Sequence, residues 1–319
     1  MAGIFHTDSM GSTKRDKTPF STEKRIPLSL KILYALWLFS LCILPFPPAS
    51  ATAPTPMDSW LAVTPQNPTR GSIALVTYRG PKTFKPEKIV WGTRSFPFFR
   101  NGRGAYQSLL AIPLSTKKTR FPIHLVMAAQ EGEKKSSLTL SLAKKRFPTR
   151  TIHLKKRVKL SSKLLEKIKN ERKELHHIFG IVTPEIMWQG RFIKPVPGGV
   201  TSPFGVRRKI NGAYLSIHHG VDFRAHMKTP VHAINRGTVV FRKELVLSGL
   251  TIVIDHGMGL YSLYGHLSSF KVKRGDIVKK GQVIGLSGNT GRSTGPHLHL
   301  GVVLCGITAD PLSIIHLPL

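Results

Sequence analysis

Histidine and aspartate recur in the C-terminal half of the chain at spacings that suit a metal. His218-His219-Gly220-Val221-Asp222 sets a histidine and a carboxylate four residues apart, and Gly220 with β-branched Val221 opposes a helix there. On extended chain four is a multiple of the strand period, so His218 and Asp222 share a face. Further on, Gly288 to Val302 reads GNTGRSTGPHLHLGV. A Gly/Ser/Thr-rich turn passes through Pro296 into alternating histidine and leucine, the pattern of a strand with one apolar and one histidine face. His297 and His299 then stand roughly 6.5–7 Å apart on one side and can reach one point above the sheet. His218, Asp222 and a histidine from 297–299 supply two nitrogens and one oxygen, with a fourth position open. That donor set suits catalytic zinc, whose fourth ligand is a water with its pKa lowered to about 7. Tyr264-Gly265-His266-Leu267 closes a β-type run and offers His266 as a further ligand or proton carrier.

The other titratable groups narrow the chemistry. From residue 200 onward the carboxylates are Asp222, Glu244, Asp255, Asp276 and Asp310, and the last three sit at strand ends or turns. No glutamate stands beside a metal-binding histidine, as it does in His-Glu-x-x-His proteases. Proton transfer therefore falls to histidine, whose ordinary pKa near 6.5 suits it. His219, His226, His232 and His256 lie near turns or have the wrong parity, and read as solvated or structural. Cys305 shares parity with His299 but lies about 20 Å further along the strand, too far to join the same metal.

These residues need a scaffold, and the chain supplies a mainly β one. Residues 1–51 read as a signal peptide, or as an N-terminal membrane anchor if uncleaved. Ile32–Leu44 is an uncharged apolar core bounded by Lys31 and Pro45, and Ala49-Ser50-Ala51 is a small-x-small site. Residues 58–155 carry short β-type runs such as SIALVTY and SLTLSLA, which predict an accessory β-sandwich. Residues 156–187 form a helical linker, with a helix from Lys159 to Phe179 capped by Ser161 or Ser162 and closed by His176 and His177. Residues 188–319 are glycine-rich and β-patterned, without a long helix, and predict antiparallel sheets.

Lys and Arg total 48 against 16 Asp and Glu, a formal net charge of +32. Such a surface associates with polyanions. No nucleic-acid motif is present, and an exported chain leaves nucleic acid behind, so an anionic envelope surface is the expected partner. The two cysteines are Cys42, in the apolar run, and Cys305, so a chain cleaved after Ala51 forms no internal disulfide.

The motif string as a whole resembles a known family. His218-x-Gly220-x-Asp222, Tyr264-Gly265-His266-Leu267, Gly275-Asp276 with Gly281-Gln282-x-Ile284-Gly285, and Thr290-Gly291-x-Ser293-Thr294-Gly295-Pro296-His297-Leu298-His299 are similar to lysostaphin/LytM-type zinc endopeptidases. Members cut peptide bonds in bacterial peptidoglycan. The resemblance runs from about Trp188 to Leu312, and the upstream region resembles the accessory part of exported Gram-negative members. It implies a LytM-like antiparallel β-sheet peptidase domain over 188–319, with one Zn2+ per chain. It further implies His218, Asp222 and His299 as ligands, and His266 and His297 as the catalytic pair beside them. Peptidoglycan is the implied partner and the periplasm or cell envelope the implied location. The rival reading is a non-catalytic wall-binding regulator of an amidase. Such relatives lack one or more of the five residues, and this chain keeps them all. It departs from the family at Lys228, where a small residue is usual, at Leu250 after Gly249, and at Leu300-Gly301 after His299. These positions bear on groove shape rather than on metal binding.

Overall fold

Alternation of apolar and polar residues builds the first sheet. In the strand Arg120–Ala129, Phe121, Ile123 and Leu125 are buried while Pro122 and His124 are exposed. The computed structural model describes residues 57–152, 161–210 and 213–319, which belong to one compact unit. The expected leader, residues 1–51, lies outside the described residues. After a short 3-10 turn, Met57–Trp60, come β1 (Leu61–Thr64), β2 (Ile73–Tyr78), β3 (Lys85–Trp91), β4 (Arg94–Arg100), β5 (Tyr106–Ala111), β6 (Arg120–Ala129) and β7 (Gly132–Ser141). They pair antiparallel in the order β1-β2-β5-β4-β3-β6-β7. A bridge between Thr69 and Ala143 brings the two ends of this path together, so the sheet curls over its own core.

Next come β8 (Thr149–Ile152) and the helix α1 (Ser162–Phe179). Ser161 caps α1 by accepting a hydrogen bond from Leu164 N, and the Gly180 N–H closes its last turn. β9 (Val200–Ser202), β10 (Arg207–Ile210), β11 (Ala213–Ile217), β12 (Val221–Arg224), β13 (Pro230–His232) and β14 (Gly237–Leu245) follow. The remaining strands are β15 (Gly249–Asp255), β16 (Leu260–Phe270), β17 (Ile277–Val278), β18 (Val283–Ser287), β19 (His297–Leu304) and β20 (Ile307–Ala309). A six-residue helix, α2 (Pro311–His316), comes last. The principal sheet runs β17-β14-β15-β16-β19-β12-β9, with β18 also on β16 and β20 on β19. β8 pairs in parallel with β10, which forms an antiparallel hairpin with β11. A strand from the expected accessory segment thus joins the C-terminal one.

The principal sheet is covered on both faces. Ile252 and Ile254 of β15 enter the main core, while Val253 packs with Phe241 and Tyr261 under Leu175, Ile178 and Phe179 of α1. Each side chain of that size contributes about 1.5–3 kcal/mol when fully buried. The main core is continuous with that of the first sheet. It holds Ile73, Phe96 and Ile123 together with Trp188, Phe204 and Ile314, and Phe99 meets Trp188 edge-on at 5.1 Å. Among the described residues no helix is long and apolar enough to cross a membrane.

Candidate metal centre

Strand register assembles the site. β12 and β19 pair so that Asp222 faces His299 and Arg224 faces His297. Side chains directly opposite on adjacent strands share a sheet face, so Asp222 meets the histidine face of β19. His218 reaches them from the turn before β12, where its backbone closes onto Gly205 and Val206. Gly220 is required on steric grounds. A Cβ there would lie 2.4 Å from Leu300 O and 2.6 Å from the His299 ring.

The donors converge. His218 Nε2 and His299 Nδ1 lie 2.9 and 2.8 Å from Asp222 Oδ1 and 3.2 Å from each other. His218 Nδ1 is 2.9 Å from Pro203 O, and a carbonyl only accepts, so Nδ1 carries the hydrogen. In neutral His218 the Nε2 lone pair then points at a carboxylate oxygen and a second ring nitrogen. Three electron-rich atoms this close require a proton or a cation between them. The donor set, two imidazoles and a carboxylate with an oriented tautomer behind one of them, fits a tetrahedral zinc site with one position left over. Burial alone would raise the Asp222 carboxyl. The His218 and His299 rings against its oxygens outweigh it and hold the group far below the usual carboxylate range. Burial pushes His299 down, against the pull of Asp222.

His266 and His297 border this cluster, with ring centroids 4.6 Å apart. His297 Nδ1 donates to Gly295 O at 2.8 Å, and its Nε2 lies 3.8 Å from Asp222 Oδ1. His266 Nδ1 donates to Thr290 O at 2.7 Å, leaving Nε2 as the unprotonated nitrogen. Alternation would turn His266 away, because Gly265 is the residue opposite His299. His266 instead has a left-handed φ of 60°, and its ring stands 6.0 Å from that of His299. Such strain in a non-glycine residue persists only where surrounding contacts hold it, as they do at functional sites. Burial lowers the His266 pKa to about 4, so the ring is neutral at physiological pH.

All five residues singled out by sequence thus meet in one place. Among the others, His256 is fully buried, His232 Nδ1 donates to Gly281 O, and His219 and His226 are exposed. Buried Cys305 is not part of the cluster. Sequence did not reveal the carbonyls of Pro203, Thr290 and Gly295, since backbone acceptors leave no residue signature. Nor did it single out Arg208, whose Nη2 lies 3.7 Å from Asp222 Oδ2.

The segment that carries these residues is similar to known proteins. The profile of Peptidase family M23 matches residues 216–311. The DD-carboxypeptidase/endopeptidase Mpg of Neisseria meningitidis is 39% identical over 115 residues, 36% of this chain and 26% of that protein. The peptidoglycan DD-endopeptidase ShyA of Vibrio cholerae is 46% identical over 89 residues, 28% of this chain and 21% of that one. The chain therefore spans about a quarter of the length of the curated relatives it matches. A solved peptidase M23 structure from Pseudomonas aeruginosa superposes with a TM-score of 0.62 at 28% identity, over 78% of this chain and 95% of that one. That superposition extends beyond the matched segment, into the N-terminal sheet.

Proposed function

Residues 216–311 match Peptidase family M23, and on that premise we propose that the chain is a zinc-dependent endopeptidase hydrolysing the peptide cross-links of bacterial peptidoglycan. The observation that carries the reading is the convergence of His218, Asp222 and His299 on one point, with the rings of His266 and His297 at its rim. His218 Nε2, Asp222 Oδ1 and His299 Nδ1 would hold one zinc ion per chain. Zinc, when bound, polarises the scissile carbonyl and acidifies water.

This chain's own residues do the rest. Pro203 fixes the His218 tautomer so that Nε2 faces the centre. Thr290 and Gly295 take the Nδ1 hydrogens of His266 and His297, so each ring presents a basic Nε2. One of the pair accepts the proton of the attacking water and delivers it to the leaving amine nitrogen. The other, once protonated, can donate to the oxyanion that forms on the carbonyl.

The N-terminal half and the +32 charge suit association with an anionic envelope surface in the periplasm, where the peptidoglycan is. The names of the relatives, a DD-carboxypeptidase/endopeptidase and a peptidoglycan DD-endopeptidase, support the substrate class. A wall-binding regulator without activity has no need for two oriented bases beside three metal donors. Mass analysis of fragments released from purified peptidoglycan tests the reading. Soluble fragments with new peptide termini at a cross-link are expected, and they should vanish on metal chelation and in Asp222→Ala. Intact wall, or cleavage that survives chelation, would overturn it.

A further inference from the structure

The parallel pairing of β8 with β10 places two arginines beside the metal centre. Register sets Arg150 next to Arg208, and Arg208 opposite Ser216 of β11. Ser216 precedes His218 by two residues, so Arg150, Arg208 and Ser216 lie on the sheet face that leads to His218. Contacts agree with this register. Arg208 Nη2 approaches Asp222 Oδ2, the oxygen turned away from the two histidines, at 3.7 Å. Arg150 Nη2 donates to Thr201 O at 3.3 Å, and Thr201 Oγ1 donates to Asp222 O at 3.1 Å. Arg150 is exposed and the Arg208 side chain is 38% exposed, so both guanidiniums reach solvent at the rim.

Charge and geometry point the same way. A divalent ion held by two neutral imidazoles and one carboxylate keeps a net charge of +1. Two guanidiniums at its edge raise the local positive charge well past what Asp222 requires. The Arg208–Asp222 separation is beyond hydrogen-bond range, and a guanidinium has five donors in a rigid fork suited to a carboxylate. We propose that Arg208, assisted by Arg150, forms a subsite for a free carboxylate next to the scissile bond of an acidic peptide. The inference rests on the endopeptidase reading above and adds the substrate's charge. It also assigns the N-terminal region a part in specificity, since Arg150 lies on β8.

The test compares two soluble cross-linked peptides that differ only in whether the carboxyl group nearest the scissile bond is free or amidated. The zinc-loaded full chain is expected to favour the free acid by at least about tenfold in kcat/KM, as suits a charge-assisted fork. Arg208→Gln should shrink that ratio toward one, chiefly through a higher KM for the free acid. Arg150→Gln should shrink it less, and Arg208→Lys should fall between wild type and Arg208→Gln. Both peptides are read on the same preparation, so partial unfolding or metal loss cancels in the ratio. A wild-type ratio of one, or a ratio that Arg208→Gln leaves intact, would overturn the subsite. If neither peptide is cut, the endopeptidase reading fails instead. Calorimetric binding of the same two peptides to the zinc-loaded chain then decides the subsite by the same comparison.

Discussion

His266 and His297 reach the same cluster by different routes. His297 follows from strand alternation, because it sits two residues before His299 on β19. His266 owes its place to a left-handed backbone that glycine would adopt more easily. If both act on protons, His266→Ala and His297→Ala should each keep zinc and lose turnover by roughly 10²–10⁴-fold. The double variant should lose less than the product of the two, since the pair serves one proton path. Steady-state rates on a cross-linked peptide, with zinc measured alongside, check this, and additive losses would separate the two roles. His256 is the contrasting case, a histidine held for structure. Its Nδ1 donates to Arg236 O, so its Nε2 accepts from Ser262 Oγ, and Tyr264 Oη bonds both Ser262 Oγ and Ile234 N. Burial depresses the His256 pKa to about 4. A folded value below the unfolded 6.5 means stability is full above about pH 6.5 and lost as pH falls toward 4, on the order of 3 kcal/mol. Denaturation midpoints of the metal-free chain between pH 7 and 4 should fall accordingly, and His256→Asn should flatten the slope. Lys228, expected to bear on groove shape, also holds a left-handed φ of 66°.

Elements explain which parts of this were legible in the chain. Parity placed Asp222, His297 and His299 because a strand's period is fixed, whereas His218 sits in the turn before β12 and His266 follows no parity rule. β4 escaped notice because it contains Pro97, which belongs on an edge strand, whereas β4 lies inside the sheet. Pro97 stands opposite Lys88 of β3, and pairing with β5 begins only at Phe98. α2 is shorter than any helical period can reveal, although Asp310 capping Leu312 N ahead of Pro311 was its signal. β8 is four residues of TRTI, and only its partner β10 makes it a strand. The helix α1 was readable, but its link to the site was not. The Glu171 carboxylate accepts from Val246 N at 3.0 Å, tethering the β14–β15 turn. Ser248 O in that turn takes the His266 N–H, and Leu247 O takes Arg292 N beside Thr290. Glu171→Ala should cost about 1.5–3 kcal/mol and speed amide exchange at Val246 and His266. Glu171→Gln, which keeps an acceptor, should restore much of both. Exchange at His266 unchanged in Glu171→Ala would show that the turn stands without the helix.

Across the whole chain, the described residues share one core although the sequence reads as successive segments. Arg94 Nη1 donates to Cys305 O, Ser313 Oγ accepts from Ile73 N, and Lys145 pairs with Asp310 at 3.0 Å, each joining the N-terminal sheet to the C-terminal one. With Phe99 on Trp188 as well, the two halves should unfold together. Calorimetry of residues 57–319 should therefore show a single transition, and two resolved transitions would mean the shared core is too weak to couple them. The same continuity lets β8 bring Arg150 to the rim of the metal centre. In the proposed function this scaffold holds one metal ion between His218, Asp222 and His299, with His297 outside that set. Native mass spectrometry of the zinc-loaded chain counts bound ions directly. The arrangement predicts one zinc in wild type and in His297→Ala, and none in Asp222→Ala or His299→Ala. Full zinc occupancy in Asp222→Ala, or its loss in His297→Ala with retention in His299→Ala, would contradict it.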